Sequence, residues 1–309
     1  VNRAKERVRI LYILALQSEQ FSQMDFKFLY RDKKKLFTIG YNVMEQQFDV
    51  SSYDMLASEA RLCSYVAIAQ GQAPLEHWFS MSRLVVLLRG EPVLLSWSGS
   101  MFEYLMPLLI MPSFDNTLLS STYSGAVREQ IDYGNKHGVP WGISESGYNR
   151  PDTQFNYQYK AFGVPSLGLK RGLYKDLVIA PYATVLGLMV EPREACENMQ
   201  RLTKEGHEGI YGFYEAIDYT PSHLPINEKN VTVFSFMAHH QGMSLLSLSN
   251  FMKGNRIQQR FISYPQMKAF ELLLQEQAPH SFMANEISDQ SKAELESFSA
   301  LHPQATPVD

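Results

Sequence analysis

Three glutamates stand almost alone in apolar, aromatic-rich segments of this sequence. Glu103 is the only charged residue between Glu91 and Asp115, and Glu59 and Glu145 have similarly apolar surroundings. Burying an ionised carboxyl without a partner costs several kcal/mol, so such a residue is usually paired, protonated or used in chemistry. Cleavage of a glycosidic bond needs two carboxyl groups, one to protonate the leaving oxygen and one to act as base or nucleophile. The three glutamates therefore indicate a sugar-cleaving site and are our candidate catalytic residues.

Aromatic and polar side chains near these glutamates could hold a sugar chain, because aromatic rings stack on the faces of sugar rings. Glu145 lies in a segment with two glycines, two serines and two aromatic residues, in which hydroxyl groups could hold the carboxylate. The residues that we predict to bind substrate are Trp78, Trp97, Trp141, Tyr148, Tyr157, Tyr159, Tyr214, Asp218, His239 and Gln241.

Each carboxylate also has a structural interpretation that the sequence leaves open. Glu59 could pair with an arginine or cap a loop, and Glu145 could face solvent from a loop. Glu103 could hydrogen-bond backbone groups near the kink expected at Pro107. For Asp218 a capping role is favoured, since acidic residues before a helix often cap it.

The remaining motifs predict neither a metal nor a cofactor. Adjacent side chains such as His239 and His240 point about 100° apart on a helix, and no His-Glu-x-x-His spacing is present. The loop from Gly163 to Gly168 matches neither the Walker nor the dinucleotide pattern, and Gly-x-Ser-x-Gly is absent.

Composition fits a globular domain and argues against nucleic acid as a partner. The chain has 309 residues, 45% of them hydrophobic and 12% aromatic, enough for a large buried core. Its net charge of −4 arises from scattered charges, so we predict no nucleic-acid partner. With only Cys63 and Cys196, a disulfide framework is not expected. No run of about 18 apolar residues could span a bilayer, and we expect a soluble piece of a longer protein.

Helical periodicity dominates the sequence. Two short strands between Phe26 and Tyr41 are predicted to form a minor β-hairpin, and other strand signals are short and isolated. We expect an all-α fold, a bundle or toroid whose long loops gather at one end. Residues 1–280 are predicted to form one domain, followed by a polar tail or linker at 281–309. The helices that we predict are 3–21, 54–69, 101–111, 118–136, 181–190, 192–204, 235–253 and 256–276.

Several segments carry a family resemblance when they are taken in order. They are Ser52-Tyr53-Asp54, Leu56 to Leu62, His77-Trp78-Phe79, Ser96 to Pro107, Trp141 to Ser146, Tyr157-Gln-Tyr159, Ala180-Pro-Tyr182, Tyr211 to Pro221 and Ala238 to Met243. This succession, which runs from about Phe26 to Pro279, resembles the glucoamylase-like domain of bacterial cyclic β-1,2-glucan synthases. The stretch from Met81 to Glu91 departs from that pattern.

The resemblance implies a six-hairpin (α/α)6 toroid similar to that of endo-β-1,2-glucanases. It also implies that the domain acts on a linear β-1,2-glucan chain and closes it into a ring by retaining transglycosylation. Neighbouring glycosyltransferase and phosphorylase-like domains of a parent chain are implied as partners, at the cytoplasmic face of the bacterial inner membrane. We expect the first hairpin or two of the toroid to lie outside this chain, so that the fragment alone could be inactive.

The same resemblance implies roles for the three glutamates. Glu145 occupies a position where the synthases carry Glu, and it is implied as the nucleophile. Glu103 resembles the general acid of the related glucanases, whereas Glu59 matches their Ser-Glu-x-Arg position, and the choice of acid/base between these two stays open. The alternatives are a β-1,2-glucan endo-hydrolase, a non-catalytic module that holds glycan, and a purely structural fragment.

Overall fold

The computed structural model describes residues 2–57 and 60–278 of the chain. The chain divides into two units, Val1–Glu276 and Gln277–Asp309, and the elements below belong to the first. Glu59 and the predicted tail at 281–309 lie outside the described residues. The predicted domain boundary near residue 280 stays a prediction.

Helices make up most of the regular structure of the described residues. Short 3₁₀ turns follow several of them, including Pro107–Leu109 and Gly187–Met189. The α-helices are α1 (Asn2–Ser22), α2 (Ala60–Ala69), α3 (Glu76–Ser80), α4 (Met101–Leu105), α5 (Leu118–His137), α6 (Pro181–Leu186), α7 (Pro192–Lys204), α8 (Ala238–Lys253), α9 (Arg256–Ser263) and α10 (Pro265–Lys268).

Local sequence signals explain where the helices begin and end. Thr117 caps α5 in a capping box with Ser120, and Gly138 ends that helix in the left-handed conformation. The predicted helix at 256–276 is wrong as one continuous helix. Pro265 has no N–H to donate, and it holds Tyr264 in an extended conformation, so α9 ends at Ser263.

Small antiparallel sheets accompany the helices. The predicted hairpin is confirmed in β1 and β2, where Tyr30 pairs with Phe37. Sheet structure extends beyond this hairpin, because the long connections at 137–180 and 206–233 also contain strands. The strands are β1 (Tyr30–Arg31), β2 (Leu36–Phe37), β3 (Tyr41–Asn42), β4 (Gln47–Phe48), β5 (Val85–Leu88), β6 (Glu91–Leu94), β7 (Ser146–Pro151), β8 (Tyr157–Lys160), β9 (Val178–Ile179), β10 (Glu208–Gly209), β11 (Gly212–Phe213), β12 (Ala216–Asp218) and β13 (Val231–Val233).

A three-stranded sheet ties together segments that are far apart in the sequence. Its order is β13-β12-β9, and Ile217 of β12 pairs with Ile179 of β9. Ile143 forms an isolated antiparallel bridge to the same Ile179. All three isoleucines are buried. This cross-strand ladder fixes the segment that leads into Glu145 against the segment that leads out of Glu215.

Glycines allow two loops to touch backbone to backbone. Val164 N donates to Gly99 O at 3.1 Å, and Ser96 N donates to Leu167 O at 3.1 Å. A Cβ atom added at Gly163 would lie 1.7 Å from the carbonyl oxygen of Ser98. The segment from Gly163 to Gly168 is therefore a structural partner of the loop from Ser96 to Gly99.

We predict that Gly163→Ala destabilises the fold by at least about 2 kcal/mol, because the new methyl group meets backbone that cannot move aside. Gly242→Ala is the matched control. Apart from its chain neighbours and the backbone of its own helix, no atom lies within 4 Å of the Cβ position at Gly242. Alanine is about 1 kcal/mol better than glycine in a helix interior. Chemical unfolding of both variants checks the prediction, and equal stability of the two would contradict it.

Candidate active site

Glu145 lies between a buried core segment and strand β7. Glu145 itself is half-buried, whereas Ser144 and Ser146 on either side are fully buried. The Tyr182 hydroxyl of α6 lies 2.8 Å from Ser144 Oγ and 3.0 Å from the carbonyl oxygen of Glu145. The backbone of Glu145 is thus fixed while its side chain reaches the partly open side of the segment.

A line of polar groups runs from the Glu145 side chain into the protein interior. Tyr159 of β8 donates its hydroxyl to Glu145 Oε2 at 3.4 Å, and the same hydroxyl lies 3.4 Å from His240 Nε2. His240 Nδ1 lies 3.0 Å from the Glu215 carboxylate. Gly147 N donates to that carboxylate at 3.2 Å. Elements β7, β8 and α8 therefore meet at Glu145.

Glu103 occupies a different environment, because hydroxyl and amide donors surround its carboxylate. It is the third residue of α4 and closes a capping box with Ser100. Ser96 Oγ donates to Glu103 Oε2 at 2.8 Å, and Ser98 N and Ser100 N donate at 3.1 and 3.2 Å. The Ser98 hydroxyl also donates to this oxygen. Glu103 is 5% exposed, and this geometry favours its structural interpretation over a role as acid/base.

The helix that Glu103 caps also holds the segment before Glu145. Met101 N donates to Ile143 O at 3.2 Å, and Phe102 N donates to Ser144 Oγ at 2.9 Å. These are first-turn N–H groups of α4, which have no partner within their own helix. Glu103 thus acts on Glu145 indirectly, through the position of α4.

Two of the tryptophans predicted to bind substrate lie in the core, which corrects that prediction. Trp78 is 1% exposed and packs edge-on against Tyr65. Trp141 is 5% exposed, and its ring lies where a Cβ atom of Gly187 would be. A side chain covered in this way has no free face for a sugar ring, so both residues stabilise the core.

Other predicted aromatic residues remain accessible. Trp97 is 61% exposed, in the loop that the Glu103 carboxylate organises, and Tyr159 is 44% exposed. Tyr157 is half-buried on the same strand as Tyr159. Tyr148 of β7 is half-buried, and its hydroxyl donates to Gln158 Oε1 at 2.9 Å.

A cavity of about 180 Å³ lies behind the His240 side chain. Its lining includes Tyr182, Tyr214, Glu215, His240 and Gln241. It therefore brings the predicted substrate residues Tyr214 and Gln241 next to the His240–Glu215 pair. The predicted residue His239 is exposed, and its ring centroid lies 4.0 Å from that of His240.

Asp218 does not face an open site, which corrects its assignment to substrate binding. Its side chain is fully buried at the end of β12. Asn149 N and Thr220 N donate to its carboxylate at 3.0 and 2.9 Å, and His223 Nδ1 lies 2.8 Å from it. Asp218 therefore fixes the loop after β12.

Arg61 is the charged residue nearest in sequence to the undescribed Glu59. It is 1% exposed, and its Nη2 lies 3.5 Å from the carbonyl oxygen of Tyr104. Its Nε and Nη1 have no hydrogen-bond partner among the described residues. A buried guanidinium is strongly destabilising when it lacks a counter-charge, and the pairing of Glu59 with an arginine stays a prediction.

His240, Glu215 and Tyr182 were not among the residues predicted for the site. A helix turns by about 100° per residue, so only one of two adjacent histidines can face the site, and the sequence alone does not say which. Two features of the sequence could have identified these residues. They are Tyr182 in the segment Ala180-Pro-Tyr182 and the carboxylate of Glu215 between aromatic residues.

Burial and neighbouring charge shift the pKa values of the groups around Glu145. Burial, followed by the charges of Glu145 and Glu215, raises the pKa of Tyr159. Burial also raises the pKa of Tyr182. Burial and then the charge of His240 lower the pKa of His239. Tyr159 and Tyr182 therefore keep their hydroxyl protons at neutral pH and can donate hydrogen bonds.

Within residues 2–57 and 60–278, His, Cys, Asp and Glu side chains do not gather in the groups of three or more that a metal ion would need. Over the same residues, each helix is too short or too polar to cross a membrane.

We predict that Glu103→Gln lowers the free energy of unfolding by about 2 kcal/mol, because an amide N–H₂ would face the donors that now bind the carboxylate. The control is Glu197→Gln, whose carboxylate makes an exposed ion pair with Arg193 and whose loss costs about 0.5 kcal/mol or less. Urea unfolding measures both. Unchanged stability with complete loss of turnover would instead assign Glu103 as the acid/base.

Comparisons with known proteins place this chain in a family. The family model Glycoamylase, described as "Putative glucoamylase", matches residues 51–265. Cyclic beta-(1,2)-glucan synthase NdvB of Rhizobium meliloti (strain 1021) is 45% identical over 273 residues. That match covers 88% of this chain, which spans only 10% of the length of the curated relative.

Solved structures of low sequence identity share the fold. The endo-beta-1,2-glucanase from Chitinophaga pinensis has a TM-score of 0.63 at 18% identity, over 87% of this chain and 66% of that one. The beta-1,2-glucanase from Parabacteroides distasonis has a TM-score of 0.58 at 15% identity, over 84% of this chain and 40% of that one. The fold is thus helix-rich and glycosidase-like, and the small sheets are part of it. Because the glucoamylase family model matches more than half of the sequence, the chain belongs to the glucoamylase-like family.

Proposed function

We propose that this chain is the domain of a cyclic β-1,2-glucan synthase that closes linear β-1,2-glucan into a ring. The reaction is a retaining transglycosylation with Glu145 as nucleophile. The observation that carries the proposal is the half-buried carboxylate of Glu145, to which Tyr159 donates a hydrogen bond at 3.4 Å. The 45% identity to a cyclic beta-(1,2)-glucan synthase supports the choice of substrate.

The first step forms a covalent intermediate. Glu145 attacks the anomeric carbon of a glucose unit, and the C1–O bond to the next unit breaks as an acid protonates the leaving oxygen. The sequence offers Glu59 and Glu103 for that acid. Because hydrogen-bond donors already saturate the Glu103 carboxylate, we favour Glu59 as the acid. Glu59 lies outside the described residues.

The second step decides between a ring and a linear product. The O2 hydroxyl at the non-reducing end of the same chain attacks C1 of the glycosyl ester, loses its proton to the base and releases Glu145. Water attacking instead gives a linear fragment. Holding the chain end over the ester raises its effective concentration relative to water, and the exposed Trp97 and Tyr159 are suited to that task.

The architecture and setting belong to the same proposal. A complete (α/α)6 toroid would include helical hairpins beyond those described, and the 66% coverage of the Chitinophaga pinensis structure is compatible with this. Glycosyltransferase and phosphorylase-like domains of the parent chain are the proposed partners, at the cytoplasmic face of the bacterial inner membrane.

The second candidate is endo-hydrolysis of β-1,2-glucan, which the shared fold with two β-1,2-glucanases supports. Hydrolysis and ring closure use the same substrate and differ in the acceptor. The products therefore separate the two candidates.

We predict that the chain converts linear β-1,2-glucan into products lighter than the linear series by one water. Glu145→Gln removes the nucleophile and should lower turnover by at least about 1,000-fold, the order expected when a covalent catalyst is lost. Mass spectrometry measures the products, with Glu197→Gln as the matched control on the exposed face of α7.

Glu145→Ala with added azide tests the role more sharply. In a retaining enzyme, azide takes the place of the missing carboxylate and gives an α-glycosyl azide. If the unsubstituted chain gave only shorter linear products, its activity would be hydrolysis and not ring closure. If the chain bound the glucan without converting it, its function would be that of a non-catalytic module that holds glycan.

We also predict that Trp97→Ala lowers the ratio of cyclic to linear products by about 5-fold, equivalent to roughly 1 kcal/mol of lost stacking. Tyr174→Ala is the control, since Tyr174 is 71% exposed and has no predicted role in the site. Product ratios at equal conversion measure the effect. An unchanged ratio for Trp97→Ala would show that this ring does not hold the acceptor.

A further inference from the structure

The groups behind Glu145 form a continuous line from a buried carboxylate to the reacting one. Glu215 contacts His240 Nδ1 at 3.0 Å, and His240 Nε2 lies 3.4 Å from the Tyr159 hydroxyl. That hydroxyl reaches Glu145 Oε2 at 3.4 Å. The Glu215 and His240 side chains are each 1% exposed. Hydrogen bonds of active sites are often long in the absence of substrate and shorten when it binds.

The inner end of the line places one proton of His240. An ionised carboxylate only accepts hydrogen bonds, so His240 Nδ1 carries a proton toward Glu215. A buried carboxylate is stable only when hydrogen-bond donors or a positive charge compensate it. A second proton on His240 Nε2 would face the oxygen of Tyr159.

The outer end of the line depends on where the proton of Tyr159 points. The phenol of Tyr159 has a single proton. When its oxygen accepts from His240 Nε2, that proton is directed to Glu145. If the imidazole were neutral, the Tyr159 proton would turn to Nε2, and the carboxylate of Glu145 would lose this donor.

Among the described residues, the Tyr182 and His239 rings pack against this line. The Tyr182 ring stacks on His240 with centroids 3.8 Å apart, and His239 lies on the other side at 4.0 Å. The raised pKa of Tyr159, caused by burial and then by the charge of Glu145, keeps its proton in place. Burial and then the charge of His240 lower the pKa of His239.

We propose that Glu215 and His240 are positioning residues which, through the Tyr159 hydroxyl, hold Glu145 in its ionised form. This inference rests on the proposed role of Glu145 as nucleophile. The hydrogen bond from Tyr159 weakens when the glycosyl ester neutralises Glu145, and it strengthens again as the ester breaks. The line therefore keeps a larger fraction of Glu145 ionised for attack and stabilises the carboxylate as it leaves.

Tyr159→Phe tests the proposal because it removes the hydroxyl and keeps the ring that lies against His240. We expect kcat to fall by about 10- to 100-fold, the effect of one hydrogen bond to a charged group, with little change in KM. We also expect the acidic limb of the kcat/KM profile to move up by about one pH unit. The sign follows because an ionised Glu145 that has lost a donor takes up a proton at higher pH.

Tyr219→Phe is the matched control. It also removes a phenol hydroxyl that donates to a glutamate, since Tyr219 lies 3.3 Å from Glu205, and it should leave the profile unchanged. His240→Gln and Glu215→Gln should shift the acidic limb in the same direction as Tyr159→Phe. In a Tyr159→Phe background these two substitutions should add no further shift, because their effect passes through the missing hydroxyl. Melting temperatures of all variants separate a loss of folding from a shifted profile.

The outcomes distinguish this inference from the proposed function. If Glu145→Ala is inactive and rescued by azide while Tyr159→Phe keeps the wild-type kcat and profile, the line has no role and the nucleophile stands. If Tyr159→Phe lowers activity equally at every pH, its role is structural and the inference is overturned. If Glu145→Ala retains full activity, the proposed function itself is wrong.

Discussion

A buried carboxylate that is fully supplied with hydrogen-bond donors holds the candidate site together. Glu103 draws Ser96, Ser98 and Ser100 around one oxygen atom, and this closes the loop into the first turn of α4. The first N–H groups of α4 then bind Ile143 and Ser144. A carboxylate far from solvent is stable only with such compensation. The position of Glu145 thus depends on Glu103 through the first turn of α4.

The glutamates of this chain divide into different physical states according to their surroundings. Glu103 is saturated by neutral donors, and Glu215 is buried against a histidine. Glu145 is half-buried at the end of a line of polar groups. Chemistry requires a carboxylate that is ordered by the protein and still open to a ligand. Of the glutamates described with these contacts, Glu145 meets both conditions.

The sequence predicted much of the helical framework and less of what lies between the helices. Helix α5 follows from its Thr117 cap and Gly138 terminator, and α7 begins at Pro192 as expected. These signals are local, so a single sequence contains them. Strand β12 pairs with β9 nearly 40 residues earlier, and such pairing depends on the tertiary fold rather than on local propensity.

The candidate site shows the same division. An isolated Glu145 among glycines, serines and aromatics was visible in the sequence, but residue type alone does not separate the buried Trp78 and Trp141 from the exposed Trp97. Nor does it show which of His239 and His240 turns inward. Burial and helix rotation are set by packing partners far away in the chain, and they become visible only in three dimensions.

The ladder of Ile143, Ile179 and Ile217 has a consequence for how this site can change during evolution. Glu145 lies two residues after one rung, and Glu215 lies two residues before another. Strand register shifts only in whole residues, and a shift by one residue turns every side chain to the opposite face. Insertions and deletions between a rung and its glutamate would therefore misplace the carboxylate altogether. Divergence of specificity at this site must proceed by substitution, while length variation is confined to the loops beyond the ladder.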